Sequence, residues 1–124
     1  MRRAFLGFVL CVAACSANDT APRPGNLTLS LPSSGDNDGA VVLVISGGPV
    51  TSVTPLQGSQ AATNADGEGT HVMIVGNLTA GAIATIAVPD VSLAAAYVAT
   101  VEQVSDRTTF ALLDPVRYHV VITR

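Results

Sequence analysis

Lysine and tryptophan are absent from this chain of 124 residues, which has only two cysteines and two histidines. All basic residues are therefore arginines, and outside Arg2-Arg3 they stand apart from one another. A protein that holds nucleic acid or anionic lipid by charge needs a basic patch. The sequence contains no such patch, so we expect no nucleic-acid partner and no polybasic contact with a membrane.

The first 14 residues have the pattern of a secretory signal peptide. Arg2-Arg3 supplies the positive region, Ala4–Val12 the apolar region, and Ala13-Ala14 the small residues that a signal peptidase requires. The apolar run is much shorter than the about 20 residues of a membrane-spanning helix. We therefore expect residues 1–14 to be cleaved and not to span the membrane.

The four residues Val12-Ala13-Ala14-Cys15 resemble the lipobox of bacterial lipoproteins. The resemblance implies that Cys15 carries a diacylglycerol on its sulfur and usually a third acyl chain on its amine. Two or more acyl chains anchor a protein stably, whereas one binds reversibly. Ser16 stands where inner-membrane retention signals commonly have Asp, which implies the outer membrane of the bacterial envelope, on its periplasmic face or at the cell surface. The alternative is ordinary secretion, with cleavage after Ala14 or Ala17.

Cleavage before Cys15 also removes Cys11. The remaining chain then cannot form an internal disulfide, and a cysteine-based metal site or a thiol nucleophile is excluded. Its length suits one domain, which buries more than about 60% of its unfolded surface and needs no covalent staples. Four arginines against nine acidic residues give this part a net charge of −5.

The boundary between anchor and domain is predicted at residue 25. Ser16–Gly25 is polar, contains two prolines and has no apolar periodicity, which is typical of a flexible linker. We therefore expect residues 15–25 to comprise the lipidated cysteine and a tether. Residues 26–124 would form the folded domain.

The domain has the patterns of β-strands and of no long helix. Leucines alternate with polar residues in Leu27–Leu31, and Pro55–Gly69 is expected to be a polar loop. Val91–Ala96 fits either a short helix or the start of a strand. The other predicted strands are Ala40–Ser46, Val50–Thr54, Thr70–Gly76, Ala82–Val88, Tyr97–Val104, Thr108–Leu113 and Val116–Thr123. This pattern predicts an all-β fold, a two-sheet antiparallel β-sandwich of about seven to eight strands, immunoglobulin-like or jelly-roll.

Parts of the domain resemble cohesin-like and carbohydrate-binding-module sandwiches. The apolar strand Asp38–Ser46 leads through a turn marked by Pro49 into the Val-rich stretch Val50–Val53, and Val72–Leu78 with Ala82–Val88 resembles the hairpin in the middle of such domains. The resemblance implies a non-catalytic domain that binds other protein modules. It carries over no binding residues, because no diagnostic motif is present.

Two acidic turns are candidates for a calcium site. Asp36 and Asp38 lie in one turn, Asp66 and Glu68 in the other, and carboxylates are ligands that calcium prefers. An EF-hand would need a glutamate about eight residues after Asp38, where Ser46 stands. Asx-type turns explain both clusters without a metal. We therefore expect no metal site, with these four residues as the weak candidates.

No catalytic constellation is evident. His71 and His119 are far apart and lack metal-ligand spacing, and no Gly-x-Ser-x-Gly motif is present. Glu68 and Glu102, the only glutamates, are predicted in a loop and on a strand, with no cleft between them. The sequence therefore predicts neither an enzyme nor a cofactor.

Aromatic side chains are too few to favour carbohydrate binding. After cleavage only Tyr97, Phe110 and Tyr118 remain, and we expect at least two of them in the core. The predicted function is a membrane-anchored envelope lipoprotein whose sandwich binds an envelope protein or acts as a scaffold, with an edge at Leu27–Leu31 or Val116–Thr123 as the contact. The alternatives are a passive structural protein and a calcium-stabilised adhesion or carbohydrate-binding module.

Overall fold

The fold is known from a computed structural model that describes residues 21–32 and 38–124. Cys15 and Asp36 lie outside these residues, as does the predicted signal peptide. The described residues form nine strands and two short 3₁₀ helices. The strands are β1 (Gly25–Leu31), β2 (Asp38–Ser46), β3 (Ser52–Pro55), β4 (Gln60–Asp66), β5 (Gly69–Leu78), β6 (Gly81–Val88), β7 (Val98–Asp106), β8 (Leu112–Leu113) and β9 (Val121–Thr123); the helices are η1 (Val91–Ala96) and η2 (Pro115–Arg117).

The strands form two antiparallel sheets. The four-stranded sheet has the order β3-β6-β1-β9, and the five-stranded sheet has the order β4-β5-β2-β7-β8. The predicted all-β, two-sheet architecture is confirmed, with nine strands in the described residues where seven to eight were expected. The short segment Val91–Ala96, which the sequence left open, is a 3₁₀ helix that begins after Asp90.

The core lies between the two sheets and follows the period-2 pattern of the strands. Leu27, Leu29 and Leu31 of β1 are fully buried, because the side chains of alternate residues point to the same face. In β2 the inward residues Val41, Leu43 and Ile45 are equally buried. These side chains belong to one core cluster, whose other large and fully buried members are Val72, Ile74, Leu78, Ile83, Ile86 and Val88.

The polar segment expected to be a loop contains a strand. Residues Gln60–Asp66 form β4, which pairs with β5 from Gln60 opposite Val75 to Asp66 opposite Gly69 without a register shift. Most side chains of β4 are exposed, so the strand has no apolar periodicity that could predict it. Its position depends on main-chain hydrogen bonds to β5 and on the tight turn that joins the two strands.

Two predicted strands near the C-terminus are shorter than expected because aspartates form turns there. Asp106 Oδ1 accepts hydrogen bonds from the backbone N–H groups of Thr108 (2.8 Å) and Thr109 (2.9 Å), which leaves β8 only two residues. Asp114 Oδ1 accepts a hydrogen bond from the backbone N–H of Val116 (3.1 Å), where η2 begins. Side-chain capping of this kind competes with strand pairing.

The prediction that Leu27–Leu31 is an edge strand is wrong. Strand β1 lies between β6 and β9, so neighbours cover both of its sides. The C-terminal strand is at an edge, as predicted, but it has only three residues, Val121–Thr123. The longest edge strand among the described residues is β4, with seven residues.

The folded part begins before residue 26. The backbone N–H of Val91 donates to the carbonyl oxygen of Arg23 (2.8 Å), and the backbone N–H of Arg23 donates to Asp90 Oδ1 (3.3 Å). Arg23 is thus fixed against the start of η1, although the sequence placed it in the tether. No helix in the described ranges is long and apolar enough to cross a membrane.

Candidate functional site

The candidate site lies at the turn of the β4–β5 hairpin. Asp66 is the last residue of β4, Glu68 lies in the turn, and His71 is the third residue of β5. Asp66 Oδ1 accepts a hydrogen bond from the backbone N–H of Glu68 (2.7 Å), so the predicted Asx-type turn is present. This bond leaves the second carboxylate oxygen, Oδ2, to face the imidazole of His71.

His71 brings the two acidic residues of the turn together. Its Nε2 atom lies 2.7 Å from Asp66 Oδ2 and 4.0 Å from Glu68 Oε2. Nε2 is shielded from solvent, and its 2.7 Å contact with Asp66 Oδ2 is an ion-pair contact that does not meet strict hydrogen-bond geometry. Buried polar atoms almost always have hydrogen-bond partners. Nε2 therefore depends on the two carboxylates of the turn for its polar contacts.

Electrostatics at the turn favour an ionised Asp66. The backbone amide of Glu68 is the main cause that lowers the pKa of the Asp66 carboxyl below its ordinary value. Partial desolvation opposes this effect, and the neighbouring His71 supports it. Asp66 is thus a carboxylate at neutral pH, with Oδ2 directed at an imidazole nitrogen.

Glu102 approaches the other edge of the imidazole ring from β7. Its Oε2 atom lies 3.7 Å from His71 Nδ1. Val42 pairs with Gln103 and Leu43 with Val101, which leaves Glu102 as the extra residue of a β-bulge. Bulges redirect side chains, and here Glu102 reaches across β2, the strand between β5 and β7. Sequence reasoning assigned no role to His71 or Glu102, because neither the sheet order nor the bulge has a local signal.

Asp38 and the turn at Asp66 and Glu68 lie at opposite ends of β5. Asp38 is opposite Leu78, whereas Asp66 is opposite Gly69 at the other end of β5. Asp38 is buried, and its Oδ1 accepts a hydrogen bond from the Tyr118 hydroxyl (2.9 Å). Asp38 therefore has a structural role and is not joined to the candidate site, while Asp36 lies outside the described residues.

His119 stands apart from this group. It lines a separate surface hollow with Thr100, Val116 and Tyr118. Among the described residues, the one group of at least three side chains that could share a metal ion is Asp66, Glu68 and His71. Tyr97 is buried and Tyr118 packs against the core, as predicted for two of the aromatics, while Phe110 is 80% exposed.

The outer face of the five-stranded sheet is partly apolar. Ala62 of β4, Met73 of β5 and Val42 of β2 lie in one row across the strands. Met73 is 44% and Val75 is 43% exposed. Solvent-facing sheets usually carry polar side chains. The open edge strand β4 therefore borders a patch that offers apolar contacts.

The comparisons with known proteins leave the function to be argued from geometry. No family model, no curated protein and no solved structure matches the chain. Three features of the described residues can support a function: the open strand β4, the apolar row beside it and the histidine–carboxylate cluster at its end.

Proposed function

We propose that this chain is a lipid-anchored protein of the bacterial envelope whose sandwich binds a protein partner without catalysis. The partner would be an envelope protein that adds an extended segment to the free edge of β4. The observation that carries this proposal is the long and regular edge strand Gln60–Asp66, whose only charged residue is at its end. Main-chain hydrogen bonds would supply much of the affinity, as in other cases of strand addition.

The four edge strands of the described part differ in how well they are protected against pairing. Proteins protect edges with prolines, charges, bulges or short length. Strand β3 contains Pro55, β8 has two residues and β9 has three. Strand β4 has seven residues, no proline and no register shift, and its only charged residue is Asp66 at its end. Strand addition is therefore favoured at β4.

Side chains next to β4 can contribute specificity. Ala62 and Met73 are cross-strand neighbours on the outer face, and with Gln60 and Val75 they line a shallow hollow. A strand added beside β4 would place alternate side chains on this face, because the side-chain period of a strand is two. Small apolar side chains of the partner would contact Ala62 and reach Met73, since cross-strand and diagonal pairs interact.

The proposed anchor keeps the domain near the membrane. Arg23 is fixed to the start of η1, and Cys15 precedes it by eight residues. A chain extends at most about 3.3–3.6 Å per residue, so the attachment point lies within about 30 Å of the lipidated residue. A partner in the same envelope layer would be within reach of β4.

Replacing Ala62 by lysine tests the binding proposal. Ala62 is exposed, so the Ala62→Lys variant should retain the melting temperature of the native protein. Lysine protects natural edge strands against pairing, so cross-linked capture of the partner from native membranes should fall at least about tenfold. Ala95→Lys, the same change at an exposed site in η1, should capture as the native protein does. Equal capture by both variants would show that β4 is not the contact.

Replacing Cys15 by serine tests the anchor independently. The Cys15→Ser variant should lack acyl chains, remain unprocessed or become soluble, and leave the washed membrane fraction, because serine offers no thiol for lipidation. Intact-mass measurement and membrane fractionation report both properties. Cys11→Ser should be processed and anchored normally, since Cys11 belongs to the predicted signal peptide. Normal cleavage and membrane retention of Cys15→Ser would refute lipid anchoring without affecting the proposal for β4.

A further inference from the structure

We infer that the β4–β5 hairpin binds one first-row divalent cation of the zinc type through His71, Asp66 and Glu68. One ligand atom from each of these residues lies within 4.8 Å of the other two. Zinc is held by imidazole nitrogen and carboxylate oxygen at about 2.0–2.2 Å, which separates neighbouring ligands of a tetrahedral site by about 3.4 Å. The observed separations of 2.7 Å and 4.0 Å from Nε2 lie on either side of this value.

The close approach of His71 Nε2 to a carboxylate is a second indication of a ligand. Nε2 is shielded from solvent within a side chain that is 26% exposed, and it lies 2.7 Å from a carboxylate oxygen without strict hydrogen-bond geometry. A hydrogen bond would explain that distance only if the N–H pointed at the oxygen. Two ligand atoms that converge on one cation approach each other without such alignment. A cation between Nε2, Asp66 Oδ2 and Glu68 Oε2 would satisfy all three atoms.

Glu102 is placed to orient the imidazole. Histidines that bind metals usually direct the second ring nitrogen at a carboxylate or carbonyl, which fixes the tautomer and the ring orientation. Glu102 Oε2 lies 3.7 Å from Nδ1, an ion-pair distance longer than a hydrogen bond. A neutral imidazole that binds a cation through Nε2 carries its proton on Nδ1, where the nearby Glu102 carboxylate would stabilise it. Glu102 is thus a positioning residue and not a ligand.

The donor set selects the class of cation. Calcium and magnesium prefer all-oxygen coordination, whereas imidazole suits zinc and its neighbours among the transition metals. The calcium site considered for Asp66 and Glu68 on sequence grounds is therefore replaced by a site in which His71 provides the decisive ligand. Three protein ligands leave one position of a tetrahedral zinc site for water. The site lies at the end of β4, which is accessible from solution.

Titration of the full chain in detergent micelles with zinc and with calcium tests this inference. Calorimetry should give one zinc ion per chain, with calcium binding at least about a hundredfold weaker, and zinc should raise the melting temperature. His71→Gln should weaken zinc binding at least tenfold, whereas His119→Gln should leave it unchanged. Glu102→Gln should weaken it about 10–100-fold, as is typical when the partner of a metal-bound histidine is lost.

The outcomes that overturn the inference are equally specific. Absence of zinc binding to the native chain would exclude the site, and equal binding to His71→Gln would place the ion elsewhere. Equal affinities for calcium and zinc would show that the carboxylates of the turn bind the ion without the imidazole. Circular dichroism and melting of each metal-free variant verify that it is folded, so a loss of binding cannot be attributed to unfolding.

Discussion

Replacing Leu43 by alanine is expected to lower the free energy of unfolding by about 2–5 kcal/mol. Leu43 is fully buried in β2, which has neighbouring strands on both sides. The shorter side chain removes apolar contacts from the space between the sheets and leaves a cavity that a close-packed interior fills poorly. Small domains are stable by only about 5–15 kcal/mol. Urea denaturation of both proteins, followed by circular dichroism, measures the difference.

Met73→Ala is the control for this experiment and also a test of the outer face. Met73 follows Val72, the partner of Leu43 in β5, and points to the opposite side of the sheet. Because Met73 is 44% exposed, its truncation should cost about 1 kcal/mol or less. A loss as large as that of Leu43→Ala would mean that another molecule covers this face in solution. The solvent-facing row beside β4 would then be an interface.

The sequence predicts the strands whose apolar side chains point into the core. Strands β1, β2, β5 and β6 were located to within two residues, because alternating or continuous apolar residues reflect burial directly. Strand β4 was missed because it buries almost no apolar side chain, so its sequence has no such pattern. It is held by pairing with β5. The aspartates that shorten the C-terminal strands act through side-chain hydrogen bonds, which a hydrophobic pattern does not reveal.

The candidate site depends on long-range facts that no local pattern contains. Asp66 and Glu68 were recognised as acids in a turn, but their proximity to His71 requires β4 to pair with β5 in the observed register. Glu102 reaches His71 only because β2 separates β5 from β7 and because β7 has a bulge at this residue. A shift of one residue in a strand would move each side chain to the other face. Sheet order and register therefore create the cluster.

Replacing Gly47 by alanine is expected to destabilise the fold by at least about 2 kcal/mol. Gly47 follows β2 with φ +101°, a conformation that side chains rarely adopt, and an added Cβ would overlap the carbonyl oxygen of Ala96. Relief of this overlap would move η1 away from the turn after β2. The same movement would strain the hydrogen bond from the Tyr97 hydroxyl to the carbonyl oxygen of Pro49 (2.7 Å). Urea denaturation measures the loss.

Gly58→Ala separates backbone strain from steric overlap. Gly58 also has a positive φ, +68°, but a Cβ there would meet no atom within 4 Å, so the expected cost is only about 1 kcal/mol.

Tyr97 gives a second measurement, because burial, assisted by the charge of Asp90, raises the pKa of its phenol above the ordinary value. Gly47→Ala should lower this pKa as η1 moves, and Gly58→Ala should not. Equal effects of the two substitutions would show that the contact between Gly47 and Ala96 does not hold η1 in place.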